Sequence, residues 1–171
     1  MNTQRLHISP TILTLAPNIY RTKGVLMLKT LYPVIKRILN NGQSISLLFA
    51  RLVVAYGFYI PAMEKWSDIS AVADWFGSMG FPLPTLNAYM AATTELLGVV
   101  LLTLGLFTRL ISLPLMVIMV VAIATVHLSH GFSAGDNGFE IPLYYMLFLA
   151  LFASLGAGKL SLDYLLFGEE Q

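Results

Sequence analysis

Polar and charged positions in this chain are confined to short intervals between four long apolar blocks. The blocks run over residues 44–62 (SISLLFARLVVAYGFYIPA), 85–107, 110–128 (LISLPLMVIMVVAIATVHL) and 140–157. Each approaches the roughly 20 residues that a helix needs to cross a bilayer core. The pattern predicts an all-α, polytopic membrane four-helix bundle. Pro84 and Pro142 suit helix N-termini. Pro61 and Pro114 fall inside apolar stretches and are expected to bend or end their helices.

A few polar residues interrupt these blocks, and their phase matters. At about 100° per residue, Ala91, Glu95, Gly98, Leu102 and Gly105 fall on one stripe of the second span. Small residues mark the faces where membrane helices approach each other, so Glu95 is aimed into the bundle. On the first span the same arithmetic groups Leu47, Arg51, Ala55, Phe58, Ala62 and Lys65. Counted from the expected outer ends, Arg51 and Glu95 arrive at one depth, roughly 15–16 Å in at 1.5 Å per residue. A lone charge at mid-bilayer costs about 2.5–3.5 kcal/mol on insertion scales, so the two are expected to pair. The pair is either a structural clamp or part of a ligand, proton or quinone site, since ionisable residues within membranes mark functional sites.

Composition points the same way. The 171 residues are 57% hydrophobic and 11% charged, against about 25% charged in soluble domains. A net charge of +1 with no basic, aromatic-rich run excludes a nucleic-acid partner. The chain has no cysteine, which excludes disulfides, thiolate metal sites and dithiol redox chemistry of its own. No Gly-rich phosphate loop, helical zinc motif or nucleophile elbow is present. Lys and Arg gather before the first span (Arg5, Arg21, Lys23, Lys29, Lys36, Arg37), at Arg109 and at Lys159, which predicts cytoplasmic N- and C-termini in an inner (plasma) membrane. Residues 1–43 then form a cytoplasmic segment with a basic amphipathic helix near 26–39 on the membrane surface, and 161–171 a cytoplasmic tail.

At the outer mouth, VHLSHGF places His127 and His130 one helical turn apart, with Glu140 shortly after. Imidazole and carboxylate suit zinc or copper(II), which makes His127, His130 and Glu140 a candidate metal set. The alternative is interfacial histidines that bond water and loop carbonyls. His127 shares its helical face with Met116, Val120 and Ile123, so it is expected to turn inward, where it would relay protons. Trp66, Trp75, Tyr56, Tyr59, Tyr144 and Tyr145 read as an aromatic interface belt. GFPLPTL (80–86) reads as a rigid turn into the second span.

These residues together resemble the DoxX family of small four-span membrane proteins. The pattern is Arg51, Phe58 and Lys65; Gly80 and Pro82; Glu95 and Gly98; LGLFTR ending at Arg109; and His127 closing the third span, over about residues 44–160. Ala62 and Val99 stand where the family usually has glycine. The resemblance implies quinone-coupled sulfur oxidation or membrane redox and oxidative-stress complexes. Its HvfX-like branch implies the making of copper-binding modified peptides. The expectation is an accessory, non-catalytic redox component with a buried pocket of Arg51, Glu95, Lys65 and His127, taking a quinone, copper or zinc. Its partners are the lipid bilayer, a membrane or periplasmic redox protein, and a second copy as homodimer. The rival functions are a small-molecule or lipid transporter and a copper-handling protein.

Overall fold

The computed structural model describes residues 10–168. Among these there is no strand. The chain divides into two units, Met1–Gly42 and Gln43–Gln171. Helix α1 runs over Pro10–Ser67. Its stretch within the first unit includes the basic segment expected at 26–39, and the side chains described there, Lys29 and Tyr32 among them, are exposed.

The second unit is the membrane bundle. It contains the end of α1, then α2 (Ile69–Ser78), α3 (Pro84–Leu104), α4 (Thr108–Ala122), α5 (Glu140–Leu155) and a short α6 (Leu162–Phe167). Three segments, Gly42–Ser67, Pro84–Leu104 and Thr108–His130, are long and apolar enough to cross a membrane. The fourth expected span is the apolar α5, whose 16 residues extend about 24 Å at 1.5 Å per residue. Gly156, at φ +78°, ends it two residues earlier than the apolar block does. The α1–α2, α2–α3 and α4–α5 connections lie at one end of the bundle, here called distal. The α3–α4 turn and the C-terminal segment lie at the other, proximal end.

In cross-section α1 touches α3 and α5, and α4 packs against both of them. The core is Leu47, Val54, Ala55 and Phe58 of α1 with Leu102, Ile111, Leu115, Met119, Leu149 and Phe152. Leu97, Val100, Leu113 and Leu147 point outward, where lipid replaces water as their solvent. Lipid removes the usual hydrophobic drive between helices, so close packing holds them together. Gly98 brings α3 against α4, since a Cβ there would stand 2.7 Å from Leu115 Cδ1. Gly57 does the same for α1 and α5, because a Cβ there would meet the Tyr145 hydroxyl.

Of the two outcomes expected at the internal prolines, a bend or an end, neither proline shows the end. The α1 helix passes through Pro61 to Ser67, and Pro114 sits within α4. A proline removes one donor, and neighbouring helices in a membrane absorb that loss. What disturbs α4 is a π-helical turn, Ile123–His127, followed by a 3-10 turn, Leu128–His130.

Candidate functional site

Glu95 is buried, and its partner is Lys65 rather than Arg51. Lys65 Nζ lies 2.9 Å from Glu95 Oε2, with the lysine side chain 20% and the glutamate 4% exposed. The expected Arg51–Glu95 pair is therefore corrected, and two physical reasons account for it. Depth was counted from Ala62, whereas α1 runs five residues further, to Ser67, a shift of about 7.5 Å. Side chains on a helix also lean toward its N-terminus. Arg51 thus leans to the proximal end, away from Glu95, while Lys65 leans back into the membrane toward it. Lys65 Nζ also reaches the carbonyl of Pro61, one turn earlier, at 3.5 Å.

Arg51 is fully buried and engages backbone instead. Its Nη1 donates to the Leu102 carbonyl at 3.1 Å and its Nη2 to the Leu160 carbonyl at 2.6 Å. Its Nε and the Thr108 hydroxyl are buried with no hydrogen-bond partner among the described residues. Gly105, at φ +66°, takes the left-handed C-cap that glycine favours and leaves the space that Arg51 Nη1 fills. Close by, Asp163 accepts from the amides of Phe107 (2.7 Å) and Thr108 (3.0 Å), and its own amide donates to the Gly105 carbonyl at 2.9 Å. Arg51 and Asp163 thus tie the C-terminal segment under the α3–α4 turn.

The distal half of the bundle encloses a cavity of about 590 Å³, with Lys65, Glu95 and His127 on its wall. Arg51 does not line it. Most of the remaining wall is apolar: Phe58 and Pro61 of α1, Trp75 and Phe76 of α2, Met79 of the following turn, Met90 of α3, Val117 and Met119 of α4, and Tyr145 of α5. An apolar hollow with a few convergent polar groups is the usual form of a small-molecule site. The sequence pattern did not single out Trp75, Phe76, Phe81 and Tyr145 as cavity residues. Asp68 caps the helix that carries the α2 residues, its carboxylate accepting from the Ala71 amide at 3.0 Å and from the Ser70 hydroxyl at 2.8 Å. Those bonds, the Ala71 amide foremost, hold the Asp68 carboxyl below its ordinary range.

His127 enters the wall from the π-helical turn. Its Nδ1 lies 2.8 Å from the Asn137 carbonyl. A carbonyl only accepts, so Nδ1 carries the proton and Nε2 of the neutral ring is left as an acceptor. The metal set expected at this mouth is not assembled. His130 Nδ1 faces the Val126 carbonyl at 2.9 Å, and Glu140 accepts from the Ala134 amide and the Tyr144 hydroxyl, both at 3.0 Å. Among the described residues no group of three His, Asp or Glu side chains is placed to hold a metal ion. Each of the three candidates bonds to its own local partners instead.

The DoxX family model matches residues 46–128, a range that contains Arg51, Lys65, Glu95 and His127. An "Uncharacterized protein" of Haemophilus influenzae is 35% identical over 133 residues, 73% of this chain and 85% of that protein. "Putative oxidoreductase CatD" of Bacillus subtilis is 31% identical over 126 residues, 73% of this chain and 90% of the relative. "Inner membrane protein YphA" of Escherichia coli is 30% identical over 133 residues, 71% of this chain and 91% of the relative. No solved structure matches the chain. Helices of membrane-spanning length, the buried polar residues on α1 and α3, and relatives matched over most of their lengths together make this chain a member of the DoxX family of membrane proteins.

Proposed function

We propose that this protein is an accessory component of a membrane redox system, that it binds a quinone-type ring in the distal cavity, and that it works beside a partner oxidoreductase. The observation that carries the reading is the Lys65–Glu95 pair on the wall of an otherwise apolar, aromatic-lined cavity at membrane depth. Charges are costly there, and those that line a cavity mark ligand or proton routes. Lys65 Nζ is a donor for a ring carbonyl, and Glu95 holds it in place. The Nε2 of His127 is an acceptor for a ring hydroxyl, with Asn137 fixing the tautomer. Trp75, Phe76 and Tyr145 offer aromatic faces to a flat ring. A bound quinone supplies a two-electron, two-proton couple, and the electrons come from the partner, since a cysteine-free chain brings no dithiol couple. One relative carries the name "Putative oxidoreductase CatD", which agrees with this role.

We assign both termini to the cytoplasm on the distribution of Lys and Arg, so the cavity belongs to the outward-facing half of an inner membrane. The basic stretch near 26–39, with Lys29, Lys36 and Arg37, is assigned to the cytoplasmic membrane surface.

The chain has two tryptophans, Trp66 and Trp75. With Trp66→Phe in place, Trp75 fluorescence reports the cavity. Decylubiquinone titrated into nanodiscs of this protein is expected to quench it saturably, and Lys65→Met combined with Glu95→Leu is expected to abolish the saturable phase. Quenching that only follows the quinone content of the lipid, and is the same in both proteins, overturns the reading.

A further inference from the structure

The distal cavity has an open side, and the residues that border it tell where a ligand comes from. Met90 on α3 and Val117 on α4 both line the cavity, yet they are 59% and 62% exposed. Val121, one turn beyond Val117, also lines it and is exposed. Toward the proximal end the two helices are closed against each other at Gly98 and Leu115. Beyond that contact α4 gives up regular geometry in the π-helical turn, and Met90 and Val117 give the cavity an exposed edge on these two helices.

The depth of this opening decides what passes through it. Val117 lies nine residues beyond Thr108 in a 23-residue span, about 14 Å along it. A bilayer core is about 30 Å thick, so Val117 stands near its middle. At Val117 the opening thus faces acyl chains, and its edge is apolar at Met90, Val117 and Val121, with the exposed Thr125 one turn beyond Val121. Trp75 and Phe76 of α2, with Met79 and Phe81 of the following turn, line the cavity with apolar side chains.

We propose that the cavity takes its ligand from the hydrocarbon phase through the opening between α3 and α4, and that the ligand is a tailed amphiphile. Its polar ring sits inside with Lys65 and His127, while its apolar tail remains in the opening beside Met90, Val117 and Val121. This rests on the quinone reading of the cavity and adds both the route and the place of the tail. A tailed ligand keeps its apolar part in lipid throughout and exchanges only the surroundings of its ring.

The test compares decylubiquinone with the tailless 2,3-dimethoxy-5-methyl-1,4-benzoquinone in nanodiscs, using Trp75 fluorescence in the Trp66→Phe background. Val117→Phe and Val121→Phe narrow the opening. They are expected to slow decylubiquinone association at least tenfold and to leave the tailless ring within about twofold. Equal slowing of both probes overturns the tail's place in the opening, and no effect on either while the wild type binds both overturns the route. If the wild type binds neither, the quinone reading falls and this inference with it. Val117→Cys gives a second measurement in case the larger residues prevent folding, because the chain has no other cysteine. Decylubiquinone is expected to protect that thiol from N-ethylmaleimide and the tailless ring to leave it reactive. Equal protection by both probes overturns the tail's place in the opening.

Discussion

Arg51 and Lys65 stand on one face of α1, about four turns apart, and both are cations within a membrane bundle. Their surroundings divide the molecule. Arg51 is enclosed at the proximal end, its two Nη groups donating to main-chain carbonyls of α3 and the C-terminal segment. Lys65 meets a carboxylate instead, and that pair borders a cavity. A guanidinium spans two carbonyls as a planar fork, which suits a fixed tie between segments. An ammonium is a point charge on a flexible stem, which suits a partner exchanged between Glu95 and a ligand oxygen. The surroundings of Arg51 thus make a closed structural joint, whereas those of Lys65 border the distal cavity.

The largest expected effect breaks the joint. Arg51→Ala removes the two bonds that its guanidinium makes to the Leu102 and Leu160 carbonyls, and bonds from a charged donor contribute about 1.5–3 kcal/mol each. It also opens a void larger than a Leu-to-Ala deletion leaves, and such deletions cost about 2–5 kcal/mol. Thermal unfolding in detergent should show a large fall in Tm or loss of folded yield. A variant as stable as the wild type would remove the joint from the comparison. Next comes the distal pair. Glu95→Gln or Lys65→Met alone is expected to cost about 3–5 kcal/mol, because each leaves a buried polar partner unmatched. Lys65→Met with Glu95→Leu should regain most of that stability, as apolar replacements of buried pairs often do. The double variant is expected to remain unable to bind decylubiquinone. If it binds like the wild type, the distal pair is as structural as Arg51, and the contrast between the halves disappears.

Periodicity made the inward faces legible before any coordinates. Leu47, Arg51, Ala55, Phe58 and Ala62 are all buried, as are Glu95, Gly98, Leu102 and Gly105. Such a stripe says which way a residue faces, and it says nothing about what stands opposite. Pairing depends on the register between helices, which was misjudged once the apolar block's last residue, Ala62, was taken as the outer end of α1, and on the lean of each side chain along its axis. Backbone acceptors such as the Leu160 carbonyl have no signature in a residue pattern. The cavity was hidden for a related reason. Trp75 and Tyr145 carry amphipathic rings that suit a membrane interface, and only the path of α2 and the missing Cβ of Gly57 turn them toward a shared space.

The smallest expected effect sharpens the proximal side of the comparison. Asp163 is far from α4 in sequence, yet its carboxylate receives the amides of Phe107 and Thr108 at the start of that helix. Phe107 itself holds φ +47°, a left-handed conformation costly for a side-chain-bearing residue, and has no side-chain cap of its own. A carboxylate at a helix N-terminus satisfies orphan donors and opposes the positive end of the helix dipole. Asp163→Ala should therefore cost about 0.5–2 kcal/mol, the range for losing an N-cap. Asp163→Asn should lose less, since its amide oxygen still accepts one of the two bonds. Amide hydrogen exchange over 105–110 should accelerate in the alanine variant while the distal residues 123–130 keep their rates. Equal acceleration at both ends would mean that the joint and the cavity open as one unit.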